Sequence, residues 1–150
     1  MCSLMEKLNN KVHSSLKFLN YDVDNIIFEK NKEFDQEKVK MDISLKKDIN
    51  FIEKESDGSE KYSVSLEINI FEDPIENNFP FSLLIKITGY FSVITKDEKM
   101  KEELINLNSV SILFPYLRSL VSTITANSNI SSLIIPPLNI NKLLDENKND

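Results

Sequence analysis

The chain has 150 residues, a mass of 17.3 kDa and a formal net charge of -6, from 18 basic and 24 acidic side chains. That length fits one domain, since a domain takes roughly 100 to 200 residues, and a domain of this size buries enough surface to fold with neither metal nor disulfide. The acidic surplus repels phosphate backbones and excludes nucleic acid as an expected partner, while 41% hydrophobic and 28% charged residues exclude a disordered chain.

The N-terminal segment, residues 1–15, reads MCSLMEKLNNKVHSS. It has no basic region followed by an apolar run, so it is not read as a secretory signal. Cys2 is the single cysteine, so no disulfide can form within the chain and no oxidising compartment is implied. No segment approaches the roughly 18 consecutive apolar residues that span a bilayer. A cytoplasmic protein without membrane insertion is expected.

From residue 16 to residue 145 the pattern is that of one domain. Leu19, Tyr21 and Val23 share one parity while Ile26 and Phe28 share the other, which predicts a strand with a bulge or bend near Asp24 and Asn25. Lys38–Lys46 (KVKMDISLK) alternates strictly and predicts a half-buried strand with Val39, Met41, Ile43 and Leu45 on its apolar face. SDGS at 56–59 supplies turn chemistry. Lys61–Phe71 alternates again, presenting Tyr62, Val64, Leu66, Ile68 and Ile70, and Phe81–Thr95 is a third such run with Leu84, Tyr90 and Ile94 on its second face. Four strands with mostly short connections favour an antiparallel meander.

After Lys96 the period changes. Asp97 can cap a short helix through Leu107, and Leu113, Leu117, Leu120, Val121 and Ile124 then recur at helical spacing. Pro115 is expected in the first turn of that second helix, where its missing N–H costs nothing, and the helix should end around Ala126–Ser128. In SNISSLIIPPLNINKLL, Pro136 and Pro137 forbid helix and central strand, leaving an apolar loop at Leu133–Leu138. Asn141 caps a last short helix, and 146–150 is a solvated tail. The fold class is α+β: a four-stranded antiparallel sheet packed with a long helix in the C-terminal half and short helices.

Catalytic chemistry is missing from the pattern. A Ser-His-Asp or Cys-His arrangement needs a histidine within reach of the nucleophile, and His13 is the only one. One histidine and one cysteine do not build a zinc site, and Gly58 and Gly89 are too isolated to cradle phosphate. No enzyme, metal or cofactor is expected.

The segments FSV at 91–93, ILFPYLRSLVSTI at 112–124 and LIIPPLNINKLL at 133–144 resemble, at nearly the same spacing, the ILFPYxR helix start and the LxLxPVNFxxLF segment of the SecB protein-export chaperone family. NIIFE at 25–29 stands where that family has an xIxFE run, so the resemblance covers Leu16–Leu144. It implies a four-stranded antiparallel sheet backed by helices and assembled as a homotetramer, a dimer of dimers. It implies a holdase that keeps unfolded polypeptides or preproteins competent for export or folding by binding them in apolar grooves. By position, Phe28, Phe34, Phe114, Tyr116, Leu117, Ile134, Ile135 and Leu138 are the candidate peptide-binding residues. Of the acidic positions that the export ATPase SecA reads in the family, Glu29 matches one, while Asn25 replaces an aspartate and Leu84 a glutamate. That departure leaves room for a chaperone dedicated to one client, such as an antitoxin, or for a protein-interaction module that is not a chaperone.

Overall fold

In a computed structural model of the chain, residues 15–36 and 39–129 are described. They form four strands, β1 (Ser15–Lys30), β2 (Ile43–Lys54), β3 (Glu60–Ile70) and β4 (Phe81–Ile94), in one antiparallel sheet of order β1-β4-β3-β2. A helix follows in three parts: α1 (Glu98–Glu103), a wider π-helical segment (Leu104–Asn108) and α2 (Ser109–Ala126). The apolar loop expected at residues 133–138 and the last short helix lie outside the described residues.

The sheet is not the simple meander expected. β2, β3 and β4 run up and down, but β1 lies beside β4, so the connection from β1 crosses to the far edge as in a Greek key. Strands spaced about 4.8 Å apart put that edge roughly 14 Å away, and a connection of about a dozen residues reaches much further. β4 therefore becomes central, which explains why its second face also carries apolar residues.

The two parities of β1 are reconciled as predicted. A register shift between Val23 and Asn25 bulges Asp24 and lets Tyr21 and Val23, then Ile26 and Phe28, all face the same side, opposite Gly89, Ile87, Ile85 and Leu83. A second shift, between Phe18 and Asn20, does the same for Phe18.

β2 differs from the prediction. It begins at Ile43 and continues to Lys54, beyond the alternating run. Lys47 pairs with Leu66 on the inward parity and interrupts the apolar series, yet the tight turn at 55–59 brings Lys54 opposite Glu60 and so extends the ladder. In that turn Glu55 N–H donates to the Ser59 carbonyl at 2.7 Å, Gly58 sits at φ +92°, and the Ser59 N–H and hydroxyl both donate to Asp57. Those bonds hold the Asp57 carboxyl below its usual range.

One face of the sheet carries the core: Tyr62, Val64, Leu66, Ile68 and Ile70 of β3, and Phe81, Leu83, Ile85, Ile87, Phe91 and Val93 of β4. The helix covers it with Val110, Leu113, Phe114, Leu117 and Val121. Gly89 permits the close approach, since a Cβ there would lie 2.9 Å from both Leu113 Cδ1 and Phe91 Cε2.

The two expected helices are one continuous helix of 29 residues, Glu98–Ala126. Asp97 caps it as expected, accepting from the N–H of Lys99 at 3.0 Å and of Met100 at 3.3 Å. Pro115 is not in a first turn; it lies inside α2, because the π segment carries the chain on without a break. By length and composition this helix would also suffice to cross a bilayer, but its apolar stripe is the one packed on the sheet.

Candidate functional site

The helix packs on β3 and β4 and leaves part of β1 uncovered. Where it does reach, Tyr116 lies 4.7 Å from Tyr21 and 5.5 Å from Phe18, ring centre to ring centre, and Phe18 lies 5.2 Å from Phe91. These rings form an aromatic step between core and surface, with Tyr116 39% exposed. Further along the same face Val23 and Ile26 are each 44% exposed, an apolar surface that water solvates poorly. Phe28 continues it, half-buried and stacked 5.5 Å from Phe81.

β1 is also an edge strand of 16 residues. One row of its backbone N–H and C=O groups is left by the sheet without a neighbouring strand, which suits it to pairing with another extended chain.

At the far end of β1 the chain is clasped. Asn31 is buried, and its side-chain amide donates to the carbonyls of Pro74 at 3.1 Å and Phe79 at 3.0 Å, while its Oδ1 accepts from Glu33 N–H. Its own N–H donates to the Pro80 carbonyl, and Asn78 Nδ2 donates to Asp35 across the same junction. The start of the crossover is thereby fixed to the β3–β4 loop, which places Phe34, half-buried, next to the end of β1.

The eight predicted site residues thus separate. Phe28 and Tyr116 border the open apolar face, while Phe34 is half-buried in the crossover just past the end of β1. Leu117 is 0% and Phe114 3% exposed, both within the core cluster. Ile134, Ile135 and Leu138 lie outside the described residues. Sequence reasoning missed Phe18, Tyr21, Val23 and Ile26, because alternation shows that a strand has an apolar face but not whether a helix covers it.

The opposite sheet face is polar and partly acidic. Tyr90 donates its hydroxyl to Asp22 at 3.0 Å, which pushes that hydroxyl's pKa up, since its ionisation would set two anions together. Thr88 donates to Asp24 and is bonded to Ser65. Ile27 faces Leu84 there, lining a shallow depression of about 290 Å³ with Glu29, Asn69, Glu72 and Asp73. Among the described residues no group of three or more His, Cys, Asp or Glu gathers to hold a metal.

Comparison with known proteins fits this geometry. Residues 14–150 match the family described as preprotein translocase subunit SecB. An uncharacterised protein of Methanocaldococcus jannaschii is 35% identical over 127 residues, covering 84% of this chain and 80% of that one. The protein-export protein SecB of Anaplasma phagocytophilum is 30% identical over 89 residues, 57% of this chain and 55% of its own. A SecB-like chaperone of Mycobacterium tuberculosis, in complex with a peptide from an antitoxin, shares the fold at a TM-score of 0.59 and 11% identity, with 91% of this chain and 96% of that one covered. The four-stranded sheet with its long helix and a sequence match across almost the whole described chain agree: this protein belongs to the SecB family of chaperones.

Proposed function

We propose that the protein is a holdase, binding unfolded polypeptide along the helix-facing side of β1 and the crossover that follows it. The observation that carries this reading is the continuous apolar strip of Tyr21, Val23, Ile26 and Phe28, next to Tyr116 and along an edge strand with backbone groups to offer. Such a surface suits many sequences, because apolar contact and backbone pairing ask little of particular side chains. Phe28 and Tyr116 are its bordering contacts, and Phe34, Ile134, Ile135 and Leu138 are proposed as further client contacts on the family resemblance.

A homotetramer in the cytoplasm belongs to the same proposal. A long apolar edge is an association hazard unless a partner covers it, and a second copy pairing with part of β1 leaves the rest of that edge and the apolar side chains of the strip for clients. SecA is the less favoured partner, since Asn25 and Leu84 stand where the family presents carboxylates.

The second reading, one dedicated client, is supported by the antitoxin peptide bound to the mycobacterial structure. The test is suppression of aggregation of a chemically unfolded model protein, followed by light scattering with serum albumin as control. Suppression near stoichiometric ratios is expected of a general holdase. Scattering no lower than the control sinks that function and leaves the dedicated client.

A further inference from the structure

Two of the eight candidate contacts, Phe114 and Leu117, are buried, and the helix that carries them contains a wide turn close by. In the π segment, Ser109 N–H reaches back five residues to the Leu104 carbonyl instead of four. Ser109 Oγ donates to the same carbonyl at 2.9 Å, so the hydrogen bond between Ser109 and Tyr62 takes its proton from the tyrosine. Both residues are buried, and this bond holds the extra residue of the helix where it is.

The two ends of the helix are pinned independently. Asp97 caps the start, and Lys101 Nζ meets Glu60 at 2.6 Å. At the other end Leu117 and Val121 are fully buried. Between these anchors, the rotational phase of residues 109–114 depends on where the extra residue is accommodated.

Pro115 supplies a second place for it. Inside an α-helix a proline gives no N–H to the carbonyl four residues back, here Ser111, and its ring crowds that carbonyl. A wide turn over 111–115 relieves both problems. Moving the wide turn there rotates residues 109–114 by about 100°, the angle of one residue, so each residue takes the place of its successor.

The exchange brings Ile112 inward as Phe114 goes out, and it also moves Val110, 1% exposed as observed, to the exposed place of Ser111. Asn108 comes to the place of Ser109 and can accept from Tyr62. Ile112, 37% exposed as observed, takes the place of Leu113 over Gly89, and Leu113 takes that of Phe114. Ser109 moves to the place of Val110, where its hydroxyl can bond back to the preceding turn. Phe114 turns outward beside Tyr116. We propose that the helix is a two-register element whose second register exposes Phe114 and buries Ile112, enlarging the apolar strip when a client is held. Its use in client binding rests on the holdase reading; its existence does not.

The test reads exposure without any client. In a Cys2→Ser background, Ile112→Cys and Phe114→Cys variants of the full chain are labelled with a thiol reagent. Ser109→Ala removes the acceptor that favours the observed register, so labelling at 114 should rise on the order of tenfold while labelling at 112 falls. Pro115→Ala removes the second resting place and should give the opposite pair of changes. Fraying or partial unfolding would speed labelling at both positions. Changes of the same sign at 112 and 114, or no change at either, overturn the proposal. Should Ser109→Ala fail to fold, Pro115→Ala carries the same two-sided test in a helix made intrinsically stronger. Because no client takes part, failure here leaves the aggregation assay untouched, and the reverse holds as well.

Discussion

Gly89 lets the helix rest on β4, and the contact has no spare room: an added Cβ meets Leu113 and Phe91 at 2.9 Å. Gly89→Ala should cost about 1–3 kcal/mol through overpacking, read as a lower midpoint in denaturant unfolding. Asn31 joins two loops through two side-chain bonds and accepts a third from Glu33 N–H in its own loop, so Asn31→Ala should cost about 1–3 kcal/mol by leaving the Pro74 and Phe79 carbonyls without that donor. In amide exchange the loss should centre on 31–35 and 74–80, with β3 little affected. Tyr62 supplies a pH signature. Burial lifts its hydroxyl to about 12, above the ordinary value near 10, so its neutral form is favoured in the fold. That contribution, on the order of 2 kcal/mol, is complete below pH 10 and lost as pH rises from 10 to 12. Lys101, lifted by Glu60, adds loss in the same direction, so the measurement is the difference between the parent chain and Tyr62→Phe in alkaline denaturation, with a flatter profile expected for the variant. At this scale the inward residues of β3 and β4 were legible, because every apolar residue on the inward parity is buried, although Ser63, Asn69 and Thr88 are buried on the other parity too. Phe114 and Leu117 were legible as an apolar helical stripe, but a stripe looks the same in sequence whether it faces a core or a groove.

Elements were legible where one period runs unbroken and lost where a single residue interrupts it. Lys47 takes an inward place on β2 and hides the rest of that strand; its long stem reaches the helix, where Nζ meets the Asn106 carbonyl at 3.5 Å. Pro115 suggested a helix start, since a proline in a first turn is far commoner than one in the interior, but capping at Asp97 and the wide turn at Leu104–Asn108 set the boundaries instead. The two parities of β1 were read correctly as a bulge, because only an extra residue lets both apolar sets face one side. Its place at the sheet edge was not legible, since strand order depends on long-range pairing. The exposed stretch of β1 gives a prediction of its own. Ile26→Lys adds charge to the apolar strip without disturbing the pairing of β4 with β3, so circular dichroism should be unchanged while sedimentation shows smaller assemblies and aggregation suppression weakens several-fold. Unchanged sedimentation and full suppression would place the working surface elsewhere.

At the scale of the molecule, one sheet, one long helix over one of its faces and an open apolar strip on the first strand make a closed core with an uncovered rim. The family resemblance was readable from three short segments because proline, aromatic and arginine positions agree together, and only the last of those segments lies outside the described residues. The placement of β1 beside β4 bears on how the chain is made. Ser15 pairs with Ile94 and Lys30 with Phe81, so the strand that leaves the ribosome early waits for the one that leaves last, with roughly fifty or more residues between partners. β2, β3 and β4 can zip as hairpins in the meantime, since local contacts close faster than distant ones. For that interval a newborn copy carries an unpaired strand of sixteen residues with one apolar side uncovered, the kind of segment that invites wrong pairing.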